Sequence, residues 1–410
     1  MEEFGSSMRA MRKRLWQVIE LGCDAPIALL FAAVVPLAAC GLIDTSQVAH
    51  YGYIDKSGGF VIPPHFDIAR EFSEDRAVVG ERIGPKVPSY YRWGFIDKSG
   101  KIVINPQFKA VNSFHEGLAA VVLQSGKMGY IDKQGRIAIP TMFDSSQYLT
   151  MDAYETAPAQ SDFSNGRAVV WINGKAAVID PSGAFVVKPG THSRIGGESE
   201  HMLAFADENE LYGYLDMNGH VAIQPQFNSA SAFSEGLAAV EIRDRANRRN
   251  RRCYIDKTGK IVLEDKSWFA LTAFKEGLAM VVVKNDAAGY KFIDGFIDKT
   301  GKFVIPAKFA YASAFKEGRA LAGTAPGTYG YIDKSGNWAI PANFHSMMFY
   351  GFSEGLAAVP AGWIGNREWG YIDPSGKQVI PPNFALPSRV EPGVADFHEG
   401  LAAVGIPEHK

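Results

Sequence analysis

One string recurs along this chain: glycine, an aromatic residue, isoleucine, aspartate and, after a short turn, a second glycine. Clear copies are Gly52-Tyr53-Ile54-Asp55, Gly94-Phe95-Ile96-Asp97, Gly129-Tyr130-Ile131-Asp132 and Gly213-Tyr214-Leu215-Asp216. Gly295-Phe296-Ile297-Asp298, Gly330-Tyr331-Ile332-Asp333 and Gly370-Tyr371-Ile372-Asp373 follow. Two copies are degenerate, Ala177-Val178-Ile179-Asp180 and Cys253-Tyr254-Ile255-Asp256. The nine aspartates lie 35 to 48 residues apart, about 40 on average. A unit this small cannot bury its own apolar faces, so each copy must pack on its neighbours.

A second string, Phe-x-Glu-Gly-Leu-Ala-Ala-Val, precedes the later copies. It is clear at residues 114–121, 233–240, 274–281, 352–359 and 397–404, and looser at 72–79, 163–170 and 315–322. Residues 200–205 barely keep it. The unit reads as short strands. Leu-Ala-Ala-Val and Gly-Tyr-Ile-Asp are two, and Lys-x-Val-Ile-Pro is a third, rich in β-branched residues. Asp-Lys-Ser-Gly-Lys is a hairpin turn, with aspartate accepting backbone N–H groups and glycine supplying positive φ. Proline is expected to close the third strand, as at Pro63, Pro140, Pro306 and Pro381, because it lacks the ladder N–H. The segment from the following aromatic (Phe66, Phe108, Phe143, Phe227, Trp268, Phe309, Phe344, Phe384) can hold a fourth, weaker strand.

Strands such as Leu118-Ala119-Ala120-Val121 and Ile102-Val103-Ile104 are apolar on both faces. Each small sheet must therefore be covered on both sides. Four short strands in about 40 residues match a propeller blade and not a leucine-rich repeat. The first copy begins near Val48 without its Phe-x-Glu-Gly string, and the chain's last copy of that string is left over at 397–404. A closed ring would complete the first blade with this C-terminal strand. The expectation is an all-β, propeller-like closed ring, favoured over an open β-solenoid, although nine blades exceeds the usual range of about four to eight. Two subdomains are the lesser alternative, with the degenerate stretch 144–205 as the only seam.

These strings resemble the bacterial WG-repeat (KWG-type) family, over roughly residues 48–405. That family is defined by its repeat, so the resemblance implies architecture and no activity.

The N-terminus reads as an address. Arg9, Arg12, Lys13 and Arg14 precede an apolar run of 15 residues, 25–39. A bilayer-spanning helix needs about 20 apolar residues, whereas 15 suits a signal-peptide core. Leu37-Ala38-Ala39-Cys40 then resembles the bacterial lipoprotein lipobox. The resemblance implies cleavage before Cys40, acylation of Cys40 and membrane attachment through its lipid. The expected layout is a signal peptide at 1–39, a linker at 40–47, the repeats at 48–405 and a tail at 406–410. Gly41 is not aspartate, so in a Gram-negative source the outer membrane is the expected destination.

Chemistry is sparse. Net charge is -2, from 42 basic and 44 acidic residues, which disfavours nucleic acid as a partner. The repeated aspartates sit singly in their own turns, without an Asp-x-Asp-x-Asp calcium loop. The repeated Glu of Phe-x-Glu-Gly reads as another turn residue. The nine histidines show no ligand spacing, and no nucleophile elbow, Walker loop or dinucleotide fingerprint is present. No cofactor and no catalytic or metal-ligating residue is assigned. Cys253 replaces a strand glycine and reads as a packed thiol.

The Asp-Lys-x-Gly turns keep their length, whereas the connections from Leu-Ala-Ala-Val to Gly-Tyr-Ile-Asp vary. Residues 124–128 are short, and 80–93, 242–252 and 360–369 are long. Variation along one edge suggests a rigid scaffold with a variable binding face. Its candidate residues are Trp93, Trp363, Trp369 and the arginines Arg243, Arg245, Arg248, Arg249, Arg251 and Arg252, types favoured at hot spots. Residues 243–252 carry a local charge of +5, six arginines less Asp244. The alternative for the arginines is a solvated hairpin, and for Trp93 and Trp369 a place in the core. The functional expectation is a non-catalytic, envelope-anchored scaffold for an envelope protein or a cell-surface glycan. The alternatives are a loop-built hydrolase of envelope polymers and a purely structural assembly part.

Overall fold

A computed structural model of the chain describes residues 48–83, 90–145, 161–244, 249–285, 291–325, 327–344, 351–360, 368–385 and 396–407. These form nine antiparallel sheets, one per repeat, and no helix. Blade 2 shows the plan: strands Ile68–Ser73, Arg76–Ile83, Tyr90–Ile96 and Ile102–Phe108 lie side by side in chain order. The segment after the aromatic does form the fourth strand, which is the first of the next blade.

Blade 1 takes its strands from both ends of the chain. Val48–Ile54 pairs with Phe60–Phe66 on one side and with the C-terminal strand Ala402–Pro407 on the other. Closure is equally visible between blades. The turn glycine of each blade rests on the apolar outer-strand residue of the blade before it: Gly100 on Ile62, Gly135 on Ile104, and so on round to Gly376 on Ile340. Gly58 of blade 1 then rests on Ile380 of blade 9. The sheets are the blades of a closed nine-bladed β-propeller. Blades 3, 4 and 5 stack as the others do, with Gly183 on Ile139 and Gly219 on Val187, so the degenerate region is no break.

The core is nine apolar layers, each between two blades. Tyr53 and Ile62 of blade 1 pack with Phe72 and Val79 of blade 2; Tyr371 and Ile380 of blade 9 pack with Phe397 and Val404 of blade 1. Burying one such aromatic side chain contributes about 1.5–3 kcal/mol, so the stacking supplies the drive to close. Tyrosines also tie the layers by hydroxyl bonds across the seam, as Tyr53 does to Arg70 O, Tyr130 to Ser161 O, Tyr214 to Ser231 O and Tyr254 to Thr272 O.

All nine repeated aspartates cap their own turns, taking the amides two and four residues on. Asp55 Oδ1 accepts from Ser57 N at 2.9 Å and Gly59 N at 3.2 Å, and Gly58 has φ of 85°. The Ser57 hydroxyl and amide hold the Asp55 carboxyl below its ordinary value.

The strand-ending role of proline is corrected. Pro63-Pro64, Pro140, Pro306 and Pro381-Pro382 lie inside strands that run on to the aromatic. This Ile-Pro strand is the last of its blade and lies at the sheet edge, so the missing proline N–H breaks no ladder bond, and the chain bulges there. The strand glycine is what the bulge requires: a Cβ on Gly94 or Gly370 would lie 2.4 Å from the carbonyl oxygen of Ile104 or Ile380. Blades 4 and 6 carry Ala177 and Cys253 instead of glycine. Their outer strands, Phe185–Val187 and Ile261–Glu264, lack the Ile-Pro bulge, and Cys253 pairs in register with Glu264.

Candidate functional site

In a four-stranded antiparallel blade the first and third turns share one end and the middle connection takes the other. The Phe-x-Glu-Gly and Asp-Lys-x-Gly turns therefore share one face of the ring. The strands that flank the variable connections end at the opposite face.

The first face is a continuous clasp. Each turn glutamate reaches the next blade's amide: Glu74 takes Gly117 N at 2.9 Å, Glu276 takes Gly318 N at 2.9 Å, and Glu399 takes Asp75 N at 3.0 Å. Eight of the nine seams carry this bond among the described residues. In six of them the turn lysine of the same next blade caps the glutamate, as Lys133 does Glu74 at 3.1 Å and Lys56 does Glu354 at 3.1 Å. Burial disfavours the charge on Glu74, yet the Lys133 ammonium and the Gly117 amide outweigh it and hold that carboxyl below its ordinary value. Where Met217 and Pro374 replace the lysine, Arg167 and Arg319 reach across to their carbonyl oxygens instead. The glutamates sit at φ near +50°, a strained setting for a side chain other than glycine. A glutamate repeated where glycine is easier was the signal in the sequence that its carboxylate does more than turn the chain.

On the opposite face, blades 2 and 6 extend longest among the described residues. Arg76–Ile83 pairs with Tyr90–Ile96 out to Ile83 and Tyr90, and Ala238–Asp244 pairs with Arg249–Ile255 out to Asp244 and Arg249. Blade 4 turns at once, on Asn173 and Gly174 with φ of 51° and 72°.

The structure separates the predicted binding residues. Trp93 and Trp369 are 0% and 6% exposed and belong to interblade layers, so their place on a binding face is corrected. The position before the strand glycine points between blades, as Tyr51 and Tyr329 also show. Arg70 lies over the Trp93 ring, 4.4 Å from its centre. Cys40, Arg245, Arg248 and Trp363 lie outside the described residues, as does the side chain of Arg249.

Arg243 is exposed at the variable face. Arg251 makes a two-point pair with Glu264, at 2.6 and 2.7 Å. Arg252 pairs with Glu241 at 3.2 Å and lies over Phe269 of blade 7, whose ring packs on that of Phe292 with centres 4.3 Å apart and a tilt of 42°. Two carboxylates thus offset part of the local +5. The sequence run has no interleaved aromatics, but the next blade supplies them, which no local pattern could reveal. Cys253, beneath this hairpin, is fully buried, and burial pushes its thiol up to about 11.

The first strands lie nearest the axis: Lys316 of blade 8 reaches Asp396 of blade 1 at 2.8 Å, past blade 9. Polar groups collect there. Asp162 of blade 4 takes Asn112 Nδ2 at 2.7 Å and faces His115 Nε2 at 3.7 Å. Burial pushes its carboxyl up to about 6, against the opposing pull of Asn112 and His115. Among the described residues, no three His, Cys, Asp or Glu side chains converge to hold a metal.

Comparison with known proteins agrees with this architecture. The pattern of the family described as "WG containing repeat" matches residues 51–81, 93–127, 128–148, 212–245, 295–322, 329–359 and 369–406. No curated protein matches the chain. Among solved structures, one described as a eukaryotic initiation factor is similar, with TM-score 0.53 and 12% identity over 81% of this chain and 95% of that one. BamB from Moraxella catarrhalis aligns with TM-score 0.36 and 12% identity, over 89% of this chain and 98% of that one. Sqt1 from Chaetomium thermophilum, solved bound to the N-terminus of the ribosomal protein L10, aligns with TM-score 0.32 and 11% identity, over 74% and 92%. At these identities the likeness concerns the fold alone. The matched segments span more than half the chain and fall on the blades just described, and the chain belongs to the WG containing repeat family.

Proposed function

We propose that this propeller is a non-catalytic binding scaffold, held at a bacterial cell envelope by lipid on Cys40, that presents its variable face to an envelope protein or a cell-surface glycan. One observation carries the reading: the two faces differ in kind. The clasped face repeats the same bonds around the ring, which makes it a rigid base. The opposite face is where the strands flanking the length-varying connections end, and on it the hairpin of Ala238–Asp244 and Arg249–Ile255 exposes Arg243 and Arg251, with Arg252 half-buried over the ring of Phe269. Rigid presentation limits the entropy lost on binding, and Arg and aromatic side chains are enriched at hot spots.

The test is affinity capture from envelope extracts and on arrayed glycans. The wild-type chain is compared with a variant in which residues 245–248 are replaced by Asn-Gly, and with Trp363→Ala. The reading expects a partner that the wild type retains and the variants lose. Recovery of neither protein nor glycan, or equal recovery by all three, contradicts it. Labelling with a fatty-acid analogue tests the anchor: wild type is labelled and Cys40→Ala is not.

A further inference from the structure

The residue x of Phe-x-Glu-Gly sits at the inner end of each blade. In five copies it is serine: Ser73, Ser164, Ser199, Ser234 and Ser353. Four of these hydroxyls close a seam by donating to the phenylalanine carbonyl of the next blade, at 2.7 to 3.0 Å. Blades 7 and 8 break this pattern in succession with Lys275 and Lys316. Among the described residues neither lysine makes that seam bond; Lys316 instead pairs with Asp396 of blade 1, and the Lys275 side chain has no partner. The two lysines place ammonium groups on adjoining blades, both exposed towards the channel end of the clasped face.

A cavity of about 470 Å³ lies against them, lined by Lys275, Lys316, Tyr311, Ser313, Leu321 and Gly351, with Ala314 and Phe315. Gly351 holds the site open. A Cβ there would meet Lys316 Cδ at 3.0 Å, and its absence lets Lys316 run across blade 9 to Asp396. Lys316 is thereby positioned by a carboxylate that is itself 9% exposed, and whose Oδ1 has no hydrogen-bond partner among the described residues. The Lys275 ammonium has no partner among the described residues. The mouth is thus cationic and the walls largely apolar.

We propose that this cavity is a second binding site, which takes carboxylate side chains of an acidic, extended peptide segment entering the channel from the clasped face. Lys275 and Lys316 bind the carboxylates, and Leu321 and Phe315 cover the aliphatic part of a glutamate. Charge complementarity selects the ligand: two ammonium groups and a single paired carboxylate leave a net positive mouth. The site lies on the face opposite the loops proposed above and does not rest on that reading.

Fluorescence anisotropy of a labelled hexaglutamate peptide with the full chain tests it, against a hexaglutamine control. The variants are Lys275→Ser, Lys316→Ser and the double, which restore the residue used in five other blades; because Lys316→Ser also frees Asp396, thermal unfolding by circular dichroism checks that each variant is folded at the assay temperature. The peptide is expected to bind the wild type, to weaken about tenfold in each single variant and about a hundredfold in the double, and hexaglutamine is not expected to bind. Binding unchanged in the double variant, or equal binding of hexaglutamine, overturns the proposal. So does binding that survives the lysine changes but is lost when residues 245–248 are replaced, since it then belongs to the arginine hairpin. Displacement of the peptide by an equal concentration of inorganic phosphate overturns the peptide assignment.

Discussion

Removing one clasp should weaken the ring by a calculable amount. Glu235 accepts from Gly277 N through both carboxylate oxygens at 3.1 Å and pairs with Lys299 Nζ at 3.1 Å. In Glu235→Ala the part-buried amide loses a charge-assisted partner, a cost of about 1.5–3 kcal/mol. The Lys299 side chain is 45% exposed. Water screens that contact, and it adds no more than about 0.5 kcal/mol. Glu235 has φ of 54°. A Cβ in that region costs about 1 kcal/mol, which alanine retains and glycine relieves. The expected order of stability is wild type, Glu235→Gln, Glu235→Gly, Glu235→Ala. With an unfolding entropy of about 2.1 cal/mol/K per residue over about 300 described residues, 1 kcal/mol corresponds to about 1.6 °C, so Glu235→Ala should melt about 2–5 °C lower. Burial opposes the charge on Glu235, but the Gly277 amide and the Lys299 ammonium prevail and hold its carboxyl below the ordinary 4.5. A depressed carboxyl stabilises the fold above the unfolded value and loses that contribution as pH falls through the folded one. The gap between wild type and Glu235→Ala should therefore be full at pH 7.5 and narrow below about pH 4. Thermal unfolding followed by circular dichroism reads both. Equal melting of wild type and Glu235→Ala at pH 7.5, or a glycine variant less stable than the alanine one, would refute the reasoning.

Gly370→Ala places a Cβ 2.4 to 2.9 Å from three backbone atoms of the outer strand; it should cost at least about 3 kcal/mol or abolish folding, whereas Ala177→Gly, where no bulge closes, should cost about 1 kcal/mol or less in denaturant titrations. Asp162→Asn should raise the melting temperature at pH 7.5 and leave it unchanged at pH 3.5. The raised Asp162 carboxyl, about 6 against 3.8, opposes folding progressively as pH climbs through that interval. In a chain with Cys23 and Cys40 changed to alanine, a thiol reagent at pH 8 should leave native Cys253 unmodified and react once denaturant is added, because the thiol is fully buried and pushed up to about 11.

The ring itself was legible because its cause is repetition. Nine copies, strands apolar on both faces and a C-terminal string left over at 397–404 together imply stacked blades that close on themselves. The aspartate turns were equally plain, since that chemistry is local. Contacts between copies were not. The partner of Glu74 is Gly117, 43 residues on, and nothing within one copy indicates it. Proline looked like a strand end because a missing N–H is costly inside a sheet and harmless on its edge; strand position cannot be read from one unit. Trp93 and Trp369 looked like loop residues because they adjoin variable connections, yet the position before the strand glycine faces an interblade layer. The channel lysines stand out once the serine seam shows what that position ordinarily does.

The closed ring is tested most directly by zero-length carbodiimide cross-linking of the wild-type chain, with linked peptides identified by mass spectrometry. Lys56 Nζ lies 3.1 Å from Glu354 and Lys98 Nζ lies 3.0 Å from Glu399, pairs that the chain separates by some 300 residues. Lys133–Glu74 and Lys299–Glu235, between blades adjacent in sequence, serve as controls. The ring predicts all four links within single molecules. Recovery of the two controls without Lys56–Glu354 and Lys98–Glu399 would contradict closure and leave an open array.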